Sequence, residues 1–217
     1  MVENKGYKAM AIIALVIGVI GVTLGYAAFE STLTIESTAE VTPDSSNFNV
    51  DFSTTNASVQ AGTVTPTLTP NNVTGFTADN ATINNTNDPE ITGLHATFTE
   101  PGQKATYEFY SYNAGLYVAY LNSIVFSGNK TCSATGTTTQ SLVDAACPGI
   151  TLTVTVGSSP VAGPTTTSIA NISGHSLGIG AAEPVTVEIE YVSGSAIADG
   201  DFEVTFPDIV LTYASAD

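Results

Sequence analysis

The segment that most constrains folding is "FESTLTIESTAEV" at residues 29–41, in which mostly apolar side chains alternate with glutamates and threonines. A period of two over thirteen residues predicts a β-strand with one apolar face. Such a strand cannot stand alone in water, so it completes a sheet of its own domain or a sheet of a neighbouring molecule. The odd positions carry the apolar residues Phe29, Leu33, Ile35, Ala39 and Val41.

The run "AMAIIALVIGVIGVTLGYAAF" at residues 9–29 contains no charge and directly precedes this alternation. As a helix with a rise of about 1.5 Å per residue, it can span a hydrocarbon core of ~30 Å. It is either removed by a signal peptidase near the small residues Ala27 and Ala28, or retained as a membrane-spanning helix. Both alternatives place residues 30–217 outside the cell.

The exported part of the chain is strongly acidic. The formal net charge is −16, and two of the four lysines precede the hydrophobic run. Such a surface repels phosphate backbones, so we expect no nucleic-acid partner. A low charge content together with many Thr, Ser and Asn residues is typical of an extracellular β-protein.

Alternating apolar segments continue along the exported chain and predict about eight to ten strands, with no amphipathic helix after the N-terminal run. Residues 116–126 are apolar on both faces and predict a central strand, and Pro207 predicts an edge or a bulge. The clearest alternations lie at residues 94–98, 105–109, 150–156, 185–192 and 202–213.

The predicted fold is therefore all-β, a two-sheet antiparallel sandwich preceded by one N-terminal hydrophobic helix. A jelly-roll-like topology is the first choice and an immunoglobulin-like sandwich the second. The predicted domains are a signal peptide or membrane-spanning helix at 1–28, an N-terminal strand at 29–42 that is a candidate donor strand, and the sandwich at 43–217.

The two cysteines, Cys132 and Cys147, are predicted to form a disulfide, because an exported chain meets an oxidising environment. In the entropic model a loop of this size stabilises the fold by about 3 kcal/mol. Zinc is not predicted, since two cysteines alone are not a site and neither histidine is near them in sequence.

No reactive constellation indicates an enzyme. His95 and His175 stand alone, and the chain has no nucleophile elbow and no Gly-rich loop before a helix. Asp199 and Asp201 flank Gly200, which predicts a hairpin turn and offers only a weak calcium candidate that needs more ligands. We therefore expect a non-enzymatic protein with no cofactor and no resident metal.

Asn-x-Ser/Thr sequons offer candidate glycosylation sites if the host modifies them. A chain rich in Thr and Asn also generates such sequons by chance. The acceptors are Asn56, Asn72, Asn80, Asn84, Asn129 and Asn171.

Three stretches together resemble the TasA/camelysin family of exported biofilm-matrix proteins. They are the leader end "GVTLGYAAFESTLTI", the hairpin "TEPGQKATYEFYSYNAG" and the closing "ADGDFEVTFPDIVLTY". The resemblance implies a leader cut by a dedicated signal peptidase and a jelly-roll subunit. It also implies head-to-tail homopolymers made by donor-strand exchange, in which an N-terminal strand inserts into the next subunit. Some members have been described as metallopeptidases, but this sequence has no zinc-ligand motif, so that role is not carried over.

Two other functions stay open. In a type IV-like, archaeal-type pilin, "MVENKG" would be the leader and the hydrophobic helix would remain in the filament core. In a membrane-anchored surface domain, the chain would stay attached through residues 9–29 and would not polymerise. We expect an extracellular or cell-surface protein whether the chain is a matrix-fibre subunit, a pilin or an anchored domain. For the matrix-fibre subunit, the export machinery and a signal peptidase are expected partners.

Overall fold

A computed structural model describes residues 47–86, 88–163 and 168–215. The predicted strand at 29–41, the hydrophobic run and the proposed cleavage region lie outside the described residues. No helix in the described part is long and apolar enough to cross a membrane.

The described part consists mostly of β-strands, with one short α-helix and a 3₁₀ turn. The helix, α1, covers Gln140–Ala146, and the 3₁₀ turn covers Cys147–Gly149. The strands are β1 (Val50–Ser53), β2 (Thr63–Val64), β3 (Thr67–Thr69), β4 (Thr77–Ala78), β5 (Ala81–Asn84), β6 (Glu90–Thr92), β7 (His95–Phe98), β8 (Lys104–Asn113), β9 (Ala119–Phe126), β10 (Thr131–Ala134), β11 (Ile150–Val156), β12 (Ser159–Ala162), β13 (Ile169–Ala170), β14 (Ser176–Leu177), β15 (Ala182–Tyr191), β16 (Phe202–Thr205) and β17 (Ile209–Ser215).

The first layer is an antiparallel sheet in the order β1-β8-β15-β11-β12, and β3 pairs with β8 beside β1. Its centre is formed by β8 and β15, which pair over nine residues from Ala182–Tyr112 to Glu190–Lys104. Both strands alternate between buried and less buried side chains, as a sheet with one face on the core requires.

The second layer is formed by two antiparallel sheets that continue one another. Their orders are β13-β9-β17-β6-β5-β2 and β10-β16-β7-β4, and β14 pairs with β9. The chain passes from one sheet to the other at short breaks, such as Gly93 with φ +76° and Pro207. At this break, Phe206 N–H donates to the Leu94 carbonyl at 2.8 Å, which ties the two sheets together.

The core lies between the layers and forms one continuous apolar cluster. Side chains from both layers meet in it: the rings of Phe98 and Tyr191 lie 6.0 Å apart, and Tyr191 meets Phe202 at 5.4 Å. The prediction of an all-β protein with antiparallel packed sheets is confirmed for the described residues.

The sandwich has two ends, which we name for the groups that hold them. At the Asn113 end, β8 ends at Asn113 and β15 begins at Ala182. At the disulfide end, β15 ends at Tyr191, and Cys132 is bonded to Cys147 with a Cα–Cα distance of 6.0 Å. The predicted disulfide is therefore present, in agreement with an oxidising environment.

Three sequence predictions about elements are wrong. The described residues form seventeen strands in place of the predicted eight to ten, because several strands are only two or three residues long and leave too few residues to show an alternation. A helix, α1, occurs inside the cysteine loop, where none was predicted, because Val143 and Ala146 are three residues apart and both reach the core. The strand predicted for residues 116–126 begins only at Ala119. Residues 116–118 form an exposed loop, so an apolar run was mistaken for a buried one.

Candidate functional site

A groove lies beside β17 near the Asn113 end, and we call it the β17 groove. It is formed by two adjoining hollows that share Asp88, the first with a volume of about 90 Å³ and the second with about 220 Å³. The first hollow is lined by Phe48, Asn49, Val50, Asp88, Pro89 and Tyr213. The second is lined by Asn84, Asp88, Glu90 and Val210.

One wall of the groove is the edge of β17 that faces β6. Pairing with β6 covers only Ile209 and Val210. Leu211 N–H then donates to the Pro89 carbonyl at 3.2 Å, at the residue just before β6 begins. Beyond that point, no strand among residues 47–86, 88–163 and 168–215 pairs with β17 on this side, although β17 continues to Ser215. This edge can therefore accept one more strand.

The opposite wall is the outer edge of β1, and a side chain closes that edge. The Asn85 side chain accepts a hydrogen bond from Phe52 N–H at 2.9 Å and donates one to the Phe52 carbonyl at 2.8 Å. The carboxamide thus takes the place of a peptide group in a neighbouring strand. Further along, Thr54 N–H donates to the Gln60 carbonyl at 3.0 Å. Strand addition is consequently blocked on β1 from Phe52 onward and open on β17.

The floor of the groove is apolar and its rim is acidic. Val50, Pro89 and Tyr213 are buried, whereas Asp88 is exposed and Glu90 is partly exposed. Asn84 Nδ2 donates to Glu90 Oε2 at 3.2 Å, which fixes that carboxylate on the rim. An apolar side chain of an incoming strand can contact the floor, but an acidic strand meets like charge at the rim.

Polar groups lie in the interior directly behind the floor. Tyr213 OH donates to Ser111 Oγ at 2.8 Å, and burial raises the pKa of Tyr213. Glu183 is opposite Ser111 in the sheet register, and His175 Nδ1 lies 3.7 Å from Glu183 Oε1. The other carboxylate oxygen, Oε2, is buried without a hydrogen-bond partner among the described residues. Burying such a group is costly, so this end of the core is less completely satisfied than an apolar core.

The structure does not bring the sequence-predicted calcium candidates into a larger cluster. Asp199 and Asp201 are exposed in the turn before β16, and Asp199 has φ +55°. No group of three or more His, Cys, Asp or Glu residues within the described part is placed to hold a metal ion.

The two histidines contact carboxylates. His95 Nδ1 lies 2.9 Å from Asp79 Oδ2, and its Nε2 lies 3.9 Å from Glu203 Oε2, on the outer face of the second layer. His175 contacts the partly buried Glu183, as described above. Neither histidine is paired with a nucleophilic side chain in these contacts.

The six sequon asparagines are all exposed, at Asn56, Asn72, Asn80, Asn84, Asn129 and Asn171. The positions of Phe29, Leu33, Ile35, Ala39 and Val41 lie outside the described residues. Their exposure leaves the sequons accessible to modification.

Sequence reasoning missed Asn85 and Asn113, the two asparagines that matter most for the groove and its end. Asn85 is hydrogen-bonded to Phe52, which lies 33 residues away, so no local sequence pattern predicts this contact. Asn113 stands at the end of a strongly alternating strand on its buried face, and a buried asparagine in such a position is the one available signal.

No protein-family model, no curated protein and no solved structure matches the chain.

Proposed function

We propose that this protein is an extracellular structural subunit that polymerises head-to-tail into cell-surface or matrix fibres. Each copy lends the strand at residues 29–41 to the β17 groove of the next copy. The jelly-roll topology implied by the resemblance remains a prediction within this proposal, as do the cleaved leader and the extracellular location.

The observation that carries the proposal is the open edge of β17 beyond Val210. An incoming strand gains main-chain hydrogen bonds from such an edge and places alternate side chains on the apolar floor. Glu30, Glu36 and Glu40 alternate with the apolar residues of the strand, so their charge opposes that of the acidic rim and weakens docking at low salt. A strand lent to the next copy, which lends its own in turn, gives an open chain of subunits and therefore a fibre.

The length of the open edge limits how much of the strand is buried. From Thr212 to Ser215 the edge spans roughly 13 Å at about 3.3 Å per residue. Two inward-pointing side chains fit along that length, and we assign them to Leu33 and Ile35. Each contributes on the order of 1.5–3 kcal/mol by burial.

We predict that Leu33→Asp or Ile35→Asp blocks assembly while leaving the sandwich folded, because a carboxylate would be placed on the apolar floor. Thr34→Val is the matched control, since its side chain points to the opposite face. Light scattering and electron microscopy of the exported protein measure assembly, and a thermal melt measures folding.

Two results would count against the proposal. Wild-type protein that remains monomeric at all concentrations and gives no fibres contradicts polymerisation. Leu33→Asp protein that unfolds as a monomer indicates that the strand completes its own domain.

The pilin and anchored-domain functions are separated from the proposal by the N-terminus of the mature protein. A start near Ala28 or Phe29 favours the strand-exchange fibre. A start at Tyr7 favours the pilin, and a start at Met1 favours an anchored domain.

A further inference from the structure

The three most exposed large apolar side chains lie at the two ends of the sandwich. Leu116 and Ile179 are 63% and 58% exposed at the Asn113 end, and Ile197 is 63% exposed at the disulfide end. No other large apolar side chain in residues 47–86, 88–163 and 168–215 exceeds 41%. The ends are separated by the length of β15, roughly 30 Å.

At the Asn113 end, one buried amide holds the two loops that carry these residues. Asn113 Nδ2 donates to the carbonyls of Tyr117 at 2.8 Å and Leu177 at 2.9 Å. Asn113 also exchanges main-chain hydrogen bonds with Gly180 and Ala181. Leu116 and Ile179 therefore stand on fixed, adjoining loops, and a contact made by them loses little conformational entropy.

Ile197 at the disulfide end is similarly fixed. Tyr191 OH donates to the Ala196 carbonyl, and the neighbouring Ala198 is buried at 1% exposure. The Ile197 side chain is held outward between these two anchored neighbours. Both ends thus present an apolar side chain on a loop whose backbone is already ordered.

Charge separates the Asn113 end from most of the surface. Residues 114–118 and 176–181 contain no charged side chain, in a chain with net charge −16. Two copies that meet side by side bring carboxylates together, whereas a contact confined to these two loops avoids that repulsion, since Asp88, Glu90 and Glu183 lie outside them. At the disulfide end, Asp199 and Asp201 follow Ile197, so two disulfide ends repel each other while a disulfide end and an Asn113 end do not.

The first described residue, Asn47, also lies at the Asn113 end. Asn47 accepts a hydrogen bond from Leu116 N–H at 2.7 Å. Gly115 leaves room for this approach, since a Cβ there would lie 2.8 Å from the Asn47 carbonyl oxygen. The described part of the chain therefore begins directly beside the exposed loops.

We propose that Leu116 and Ile179 of one copy dock on Ile197 of the next copy, end to end. This inference rests on the proposed function, in which the strand at residues 29–41 already joins one copy to the next. The contact joins two different surfaces, so it repeats along an open chain and sets the axial stacking of the fibre.

The test is covalent trapping in the full chain, exported with its own leader. The two native cysteines are bonded to each other, so Leu116→Cys with Ile197→Cys introduces the only free thiols. A short bifunctional maleimide is expected to give a ladder of covalent oligomers from the doubly substituted protein. Each singly substituted protein is expected to stay monomeric on the denaturing gel.

A dimer from Leu116→Cys alone would overturn the proposal, because it indicates two Asn113 ends facing each other. Fibres of the doubly substituted protein that give no ladder would also overturn it, while leaving strand exchange intact. Failure of the proposed function has a different result: Leu33→Asp protein that still forms fibres.

A second variant tests how strongly the end-to-end contact favours assembly. Leu116→Asp with Ile179→Asp is expected to raise the concentration needed for assembly by about tenfold or more, because apolar burial is lost and a charge is introduced. Val59→Asp is the matched control, since Val59 lies in the loop after β1 and is 38% exposed. Equal assembly of the two variants, with unchanged melting temperatures, would contradict the end-to-end contact.

Discussion

At the disulfide end four aromatic rings pack in the interior, whereas at the Asn113 end buried polar groups lie beside one aromatic pair, Phe52 and Phe109. Phe76, Phe98, Tyr191 and Phe202 pack at the first, with centroid distances between 5.4 and 6.2 Å. Ser111, Asn113 and Glu183 occupy the second.

The difference bears on function because the β17 groove lies on the polar side. Among the described residues, one carboxylate oxygen of Glu183 is buried without a hydrogen-bond partner, and the neighbouring edge of β17 is unpaired beyond Leu211. The proposed strand exchange therefore uses the end of the sandwich that its own described residues satisfy least.

Of the changes that distinguish the two ends, loss of the disulfide is expected to lower the free energy of unfolding most. Cys132→Ser with Cys147→Ser is expected to lower the free energy of unfolding by about 3 kcal/mol, since the closed loop no longer restricts the unfolded chain. Denaturant unfolding of the variant measures the loss. Hydrogen exchange is expected to rise in β10 and α1 and to remain unchanged at the 114–118 loop. Equal loosening of both ends would show that they are not independent.

Removal of the Asn113 amide is the matching change at the other end. Asn113→Ala is expected to lower the free energy of unfolding by about 2–3 kcal/mol, because two carbonyls and Gly115 N–H lose their partner. The exposed Asn122 supplies the control variant Asn122→Ala. The same denaturant melt checks both variants, and a loss no larger than that of the control contradicts the assigned role.

The smallest effect is expected from alkaline pH. Burial raises the pKa of Tyr107, whose hydroxyl bonds the carbonyls of Asp79 and His95, to about 12. An unfolded tyrosine ionises near 10, so the stability from the neutral phenol is complete below pH ~10 and is lost as pH rises through ~12. Unfolding followed from pH 9 to 12 is expected to show a shallower pH dependence in Tyr107→Phe than in wild type. If stability depended equally on pH in the two proteins, ionisation of Tyr107 would not be a cause of the loss of stability.

Regular alternation predicted the strands that face a uniform environment. β11 covers Ile150–Val156 as expected, and the turn between β7 and β8 falls at "EPGQ". The phase shift at Pro207 marks the break between β16 and β17. In each case neighbouring residues along the chain determine the structure, so the pattern is readable without knowing the fold.

The features of the candidate site were not predictable in this way. The apolar residues Leu116, Tyr117 and Val118 have the composition of a strand, and only the fold places them outside the core. The Asn85 carboxamide closes an edge that is remote in sequence, and the open edge of β17 depends on where β6 begins. Such features depend on contacts between distant segments, which one sequence does not reveal.

In the proposed fibre, the strand at residues 29–41 of one copy lies beside β17 of another copy. Two singly substituted chains, one with Thr34→Cys and one with Ala214→Cys, can be co-expressed and treated with a short bifunctional maleimide after export. Ala214 is exposed near the open end of β17, and Thr34 adjoins both proposed anchors. Strand exchange between copies is expected to give a covalent heterodimer, identified by mass, that joins the Thr34→Cys chain to the Ala214→Cys chain. A cross-link that forms only when both substitutions are in the same chain, and never between the two singly substituted chains, would contradict it.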